Sequence, residues 1–314
     1  MIRYLTLRAG GLIVTLLVAS FVVYASIYVS PGSPESVLFG GKQPSPEVVA
    51  EARAHLGLDE PFLLRYVHWL REVLSGDLGR SLISQQPVTS KLAHPLTVTM
   101  LLVVYAAVII VVLGLGLGLL AGLNPGWVDA TVTGIVSVAT AVPAFVAAYL
   151  LIAVFAVRLG WFPPFGLGDG AVGYLRGLTL PAIALAVLSS GLVARVARSA
   201  TIEQNDSEHV QTALARGISR RRLVRSHVVR NAAGPIATVT GLQIASLLAG
   251  AVVVEQAFGL GGLGQLLITS VQQKDFPTVQ AICLILVAAF VLLNLAAELL
   301  GAALDPRARP WMSR

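Results

Sequence analysis

The residues able to carry chemistry fall into small groups, and each group tests one reaction class. Gly259-Leu-Gly-Gly-Leu-Gly264 matches the G-x-G-x-x-G spacing that lets a backbone approach a pyrophosphate, and it follows the apolar run 252–258. A dinucleotide site also needs a strand-turn-helix unit and an acidic residue about 20 positions on. Here another long apolar run follows instead, so the segment reads as a tight glycine turn. Gly114, Gly116 and Gly118 lack the Lys-Ser/Thr ending of a phosphate loop, which leaves no visible ATP site in the chain. Gly114, Gly118 and Gly122 recur at the spacing of closely packed helices. The five histidines show no ligand spacing, and the single Cys283 excludes an intrachain disulfide or a multi-cysteine metal site. No catalytic, cofactor-binding or metal-binding residue is therefore assigned. Glu255 and Glu298 lie at the ends of apolar runs, where a carboxylate either reaches water or an arginine, or makes an interhelical or gate contact. Paired acids at helical spacing, the mark of a proton relay, are missing.

The elements that must position these residues follow from composition. The chain has 314 residues, 56% hydrophobic and 12% charged, with mean hydropathy +0.80. A soluble domain carries about a quarter charged residues, so this is an all-α membrane protein and soluble enzyme classes are disfavoured. The net charge of +6 could suggest nucleic acid, but the charges lie between apolar runs rather than on a hydrophilic domain. Six windows free of charged side chains run over 9–34, 92–128, 130–157, 177–194, 231–254 and 276–297. Each can supply the ~20 apolar residues that cross a bilayer as helix, and Asn124-Pro125-Gly126 is a turn between two of them. The first window is longer than a signal-peptide core and lacks a small-residue cleavage site, so it counts as a spanning helix. Pro143 and Pro181 should kink or unwind their helices.

Six crossings put both termini on one side. Arg3, Arg8, Arg307, Arg309 and Arg314 lie at the termini, and eight arginines from Arg195 to Arg230 face only Glu203, Asp206 and Glu208. The positive-inside rule makes that side cytoplasmic, although the short 123–129 loop has no Lys or Arg. The expected units are a first helix over 1–30, a helical extracytoplasmic segment over 31–95, a core of five helices over 96–301 with a cytoplasmic loop at 199–231, and a tail over 302–314. In the outer segment, Ser45-Pro46-Glu47 starts a helix that Gly57 closes. A second outer helix sets Phe62, Tyr66, Val67, Leu70, Val73 and Leu74 against Arg65, His68, Arg71 and Glu72.

The cytoplasmic loop carries the densest pattern. Ser207 is a plausible N-cap, and Val210, Ala213, Leu214 and Gly217 follow at i, i+3, i+4 and i+7. Ser219 can cap another helix, with Leu223, Val224, His227 and Val228 on one stripe and Arg221, Arg222 and Arg225 on the other. Such a hairpin is either a basic loop that sets topology and touches anionic lipid, or a docking element that transmits a rigid-body push.

TALARG at 212–217 and HVVRNAAGP at 227–235 resemble the coupling loop of ABC-transporter permease subunits of the dipeptide/oligopeptide importer branch. RYLTLRAGGL at the start, PGSP at 31–34, LGLDEP at 56–61, GDLGRS at 76–81, LTLPAIAL at 178–185, VVVEQAFGLGGLG at 252–264 and LDPR at 304–307 are similar to that branch in the same order, over nearly the whole chain. The chain departs from the general permease loop in having Gln211, Thr212 and Ala213 before the glycine. His209 stands where the branch commonly has tyrosine, and Ser33 where PGDP would place an acid.

The resemblance implies a type I ABC importer permease fold in the bacterial cell membrane, importing peptides. It also implies partners: a second permease, two ATP-binding subunits or domains, and an extracytoplasmic substrate-binding protein. ATP and Mg would be bound by the ATP-binding partners, with no cofactor in this chain and no hydrolysis by it. Glu208, Gln211, Thr212, Ala213, Arg216 and Gly217 would couple to the ATPase. Gln243, Ser246 and Asn294 are the polar residues offered for the path, with interhelical hydrogen bonding as the competing reading. The alternatives are a permease of the same family for nickel chelate, glutathione or another small solute, and an ion-driven carrier. The carrier would be expected to have internal repeats, and none is visible.

Overall fold

The structure is a computed structural model that describes residues 2–29 and 60–304. The helix start at Ser45-Pro46-Glu47, its end at Gly57, PGSP and the C-terminal arginines lie outside the described residues. Among the described residues the regular structure is helical, apart from one isolated bridge between Arg80 and Pro87. We number the helices α1 Ile2–Val29, α2 Phe62–Leu74, α3 Val88–Leu123, α4 Trp127–Ala141, α5 Ala144–Arg158, α6 Gly170–Asn205, α7 Glu208–Ala215, α8 Arg220–Phe258, α9 Leu263–Gln272 and α10 Phe276–Leu304.

By length and composition, α3, α6, α8 and α10 can each cross a membrane, and α4 with α5 makes a fifth crossing as one broken span. Five of the six expected crossings map onto these, and the first falls on α1, whose described apolar part, Gly10–Ser26, is shorter than the spans above. α4 and α5 meet at 98° because Pro143 offers no amide hydrogen and forces Val142 into an extended conformation (φ −89°, ψ 117°). Pro181 behaves otherwise, since α6 runs uninterrupted through it.

Helix α6 is the central post: 72% of its most apolar window is buried, against 17% for α10. Small residues let its neighbours approach. Gly114, Gly118 and Gly122 of α3 lie on α6, where a Cβ at Gly118 would sit 2.5 Å from the Ala197 Cβ and 2.6 Å from the Ala194 carbonyl oxygen. Gly241 against Ala297 and Gly301 against Thr238 form a like seam between α8 and α10. The main apolar core joins Leu102, Ile110, Leu180, Leu185, Leu247 and Phe258 from α3, α6 and α8.

Two clusters of helix ends result. One collects the ends of α3 and α6 with the starts of α4 and α8: Arg198 pairs with Asp129, and Arg220 donates to the Leu123 carbonyl at 3.3 Å. The other collects the start of α3, the end of α8, α9 and the start of α10. At that second end α2 lies against α1, where Phe62, Tyr66 and Trp69 stack with Phe21 and Tyr24, and the Tyr66 and Ser20 hydroxyls meet at 2.9 Å. The predicted apolar face of α2 is therefore divided. Its aromatic half packs, while Val67 and Leu74 stay exposed.

Candidate functional site

The basic loop folds as the sequence pattern requires, with one inversion. α7 starts at Ser207 in an extended conformation (φ −71°, ψ 148°), but the Ser207 hydroxyl turns back to the Gln204 carbonyl instead of capping the helix. Glu208 in the first turn complements the helix dipole. At the far end the Ile218 amide donates to the Ala213 carbonyl (3.2 Å) and the Gly217 amide to the Leu214 carbonyl (2.9 Å). This paired closure needs a left-handed residue between them, and Gly217 supplies it at φ +77°. The space around Gly217 is open, so its conformation is what demands glycine.

Helix α8 then begins with one α-turn and passes through a π-turn over Val224–Val229. Residues five apart on an α-helix diverge by about 140°, whereas a π-turn, which bonds i to i+5, returns them to one face. Leu223 and Val228 consequently point the same way, and both are buried with Val210 and Ala213 of α7. Beside this cluster the Asn231 side-chain amide meets His209 Nε2 at 3.1 Å. α7 is thus held to the first turns of α8 by an apolar core and a polar clasp. The second helix of the expected hairpin is no separate element; it is the beginning of the spanning helix.

The inversion concerns Ala213. The sequence pattern offers Ala213 as part of a small, exposed docking face, but it is 6% exposed and packed inside the hairpin. Its role is to seat α7. Glu208, Gln211, Thr212, Arg216 and Gly217 are exposed together with Leu214, and they form the outward surface. Arg221, Arg222 and Arg225 add exposed positive charge beside it. Arg198 is engaged in a fork with both oxygens of Asp129, and Arg195 donates to the Thr140 hydroxyl, so these two arginines bind α6 to α4.

The three polar residues offered for the path lie on the paired helices α8 and α10. Ser246 is exposed on α8, with its hydroxyl on the Gln243 carbonyl at 2.7 Å, and Gln243 is half-buried beside it. Asn294 instead lines a groove of about 410 Å³ between α1 and α10, with Gly11, Thr15, Phe290 and Glu298. It shares a helix face with Ala297 and Gly301 of the α8 seam, at i+3 and i+7, and its Oδ1 has no partner among the described residues.

At the opposite end two carboxylates stand out, and sequence reasoning weighed one of them too lightly and missed the other. Glu255 is 0% exposed and accepts from the Thr99 hydroxyl (2.6 Å) and the Gly264 amide (2.7 Å). Gly262 is glycine because a Cβ there would press on the Glu255 carboxylate, and Gly264 because a Cβ would press on the Val252 backbone and lie 3.0 Å from Glu255 Oε2. This is the packing reason for the glycine turn. Asp275, also 0% exposed, accepts from the Ser81 hydroxyl (2.6 Å), the Thr278 hydroxyl (2.7 Å), Lys91 Nζ (2.8 Å) and the Leu82 amide (3.0 Å). Burial alone would raise its pKa, but these donors, led by Lys91, hold the carboxyl below the usual carboxylate range. Groups of three or more metal-ligating side chains are absent among the described residues.

The profile of the family described as binding-protein-dependent transport system inner membrane component matches residues 114–310. The profile of that component's N-terminal part matches residues 1–103. A Brucella abortus protein named as a peptide transport system permease is 36% identical over 306 residues, covering 96% of this chain and 97% of its own length. The glutathione transport system permease protein GsiC of Salmonella typhimurium is 34% identical over 310 residues, covering 98% of this chain and 99% of its own. Among solved structures the chain is similar to the MetNI methionine ABC transporter in an inward-facing form, with TM-score 0.57 and 19% identity over 69% of this chain and 97% of that one. It is also similar to an amino acid ABC transporter, with TM-score 0.51 and 22% identity over 70% of this chain and 94% of that one. At those identities the likeness concerns the fold.

Proposed function

We propose that this chain, which belongs to the family of binding-protein-dependent transport system inner membrane components, passes small peptides through the membrane on energy delivered by partner ATPases. It is a multi-pass permease of an ABC importer. In our reading both termini and the α7 hairpin face the cytoplasm, a second permease completes the path, and a substrate-binding protein delivers cargo from outside. ATP and Mg belong to two ATP-binding partners. The observation that carries the reading is the seating of α7. An element with an exposed polar surface and a buried apolar underside, fixed to the first turns of a spanning helix, passes on a push as a rigid body.

In this mechanism Glu208, Gln211, Thr212 and Arg216 meet a groove of an ATPase. Closure of the ATPase pair displaces α7, and the Val210–Val228 contact carries that displacement into α8. Because α8 is seamed to α10 through Gly241 and Gly301, both helices tilt together and alternate the side to which the path is open. Gln243 and Ser246, on the side of α8 away from that seam, are the residues we retain for the path.

Peptide cargo is supported by the names of the full-length relatives, and glutathione, itself a tripeptide, is the second reading for the same reason. The test is reconstitution of the complete complex in vesicles with labelled dipeptide, tripeptide, glutathione and a nickel chelate in parallel. ATP-dependent uptake of a peptide is expected. Uptake driven by an ion gradient in the absence of ATP would overturn the reading.

A further inference from the structure

Helix α9 has ten residues, and as a helix it is roughly 15 Å long, half of what a crossing of about 30 Å requires. A non-spanning helix beside spanning ones persists where it is buried in protein or lines a water-filled cavity. α9 meets the first condition. Leu263, Gly264 and Ser270 are buried, and Leu266 and Leu267 pack on Val88, Leu92 and Ile282 of α3 and α10. On the other side Gln265, Thr269 and Gln272 fall at i, i+4 and i+7; Gln265 Oε1 accepts from the Gly261 amide (2.7 Å) and the Thr269 hydroxyl donates to the Gln265 carbonyl (3.0 Å), so the stripe presents the Gln265 side-chain amide donors, the Thr269 oxygen and Gln272, all uncharged.

Both ends of α9 are fixed by buried carboxylates that reach the same distant helix. At its start Glu255 takes the amides of Gly264 (2.7 Å) and Gln265 (3.4 Å), and the Thr99 hydroxyl of α3 bridges Glu255 to the Leu263 amide. Just past its end Asp275 takes Lys91 of α3 together with Ser81 and Leu82, which lead into α3. The Asp275 amide closes the arrangement on the Ser270 carbonyl at 2.8 Å. Removing one partner of a buried charge leaves the rest uncompensated, so each carboxylate holds its end of α9 firmly.

We propose that Glu255 and Asp275 are positioning residues that lock α9 to the first turns of α3, making α9 the closure of the path at the end opposite the α7 hairpin, with its Gln265–Thr269–Gln272 stripe facing the solute. The inference rests on the permease reading above. An uncharged amide stripe suits the main-chain amides of a peptide, which it can bind weakly enough to release.

The test uses the complete complex in vesicles loaded with radiolabelled triglycine, without nucleotide. The unsubstituted complex should hold the tripeptide. Glu255→Ala should release it roughly ten-fold faster, the scale of one lost buried hydrogen bond, while still assembling and hydrolysing ATP. Glu255→Gln, which keeps an acceptor oxygen for the Gly264 amide, should stay tight. An assembled, ATP-hydrolysing Glu255→Ala complex that holds triglycine as well as the unsubstituted one overturns the proposal. If Glu255→Ala does not assemble, Asp275→Asn at the other end carries the test, with leakage expected and tight vesicles decisive against it. Failure of the permease reading itself shows separately, as absence of ATP-driven triglycine uptake by the unsubstituted complex.

Discussion

Val210 of α7 and Val228 at the start of α8 are both 0% exposed and share one apolar cluster with Ala213 and Leu223. The contact exists because the π-turn over Val224–Val229 rotates Val228 onto the face of Leu223. Motion applied to the surface of α7 therefore reaches a spanning helix without a flexible link between them.

Val228→Ala removes two buried methyl groups, worth about 1.6 kcal/mol at ~0.8 kcal/mol each, and loosens that seat. Membrane insertion and assembly should be kept, while solute moved per ATP hydrolysed falls several-fold. The ratio of uptake to hydrolysis in vesicles checks it.

The glycines of α3 predict opposite outcomes two residues apart. Gly118→Ala drives a Cβ against Ala197 and the Ala194 carbonyl, and overpacking of this kind costs about 1–3 kcal/mol. Gly116 has open space around it, so Gly116→Ala should stabilise by roughly 0.5–1 kcal/mol through helix propensity. Thermal unfolding of the purified permease in detergent separates the two.

Arg198 and Asp129 bind α6 to α4 at the end nearest the hairpin. Arg198→Met should lower thermal stability and impair uptake. The exchange Asp129→Arg with Arg198→Asp should recover part of both, and recovery by the pair but by neither single variant is the signature of the contact.

Asp275 sets a pH dependence. Its carboxyl titrates lower in the folded protein than in the unfolded chain, whose value is near 3.9. The unfolded state therefore takes up the proton first as pH falls. The stabilisation is complete above the ordinary carboxylate range and is lost as pH drops below it, through the lowered folded value. Unfolding temperatures from pH 7 to pH 3 should show the gap between the unsubstituted protein and Asp275→Asn constant at first and closing at the acid end. A gap that widens with acid would contradict the assignment.

Much of this was legible in the chain. Apolar windows locate the long helices, the Gly114–Gly118–Gly122 spacing anticipates the α3–α6 contact, and Pro143 marks the break between α4 and α5. The pattern Val210, Ala213, Leu214 and Gly217 locates α7 and its end, but periodicity says which residues share a face and is silent on whether that face turns inward. Ala213 shares its face with Val210, and only the packed structure shows that this face turns inward. α9 falls between two apolar windows, just after the glycine turn, and its short run of Leu263, Leu266 and Leu267 at helical spacing is the signal for it.

The carboxylate locks were hidden for a different reason. The Ser81 and Thr99 hydroxyls that bond Asp275 and Glu255 lie 194 and 156 residues away along the chain, and no local pattern announces a partner at that distance. The surroundings of Asn294 were hidden in a like way. Its polarity is visible in the sequence, but the position of α1 beside it is a tertiary fact.

The central claim, that the exposed surface of α7 is gripped by a separate motor, is tested most directly by cross-linking. Cys283 is replaced by alanine, Thr212 by cysteine, and a photoreactive thiol reagent is attached in a complex shown to retain ATP-driven uptake. Capture of an ATP-binding subunit at Thr212→Cys is the predicted result. A transporting complex in which that position never captures such a subunit would contradict the account.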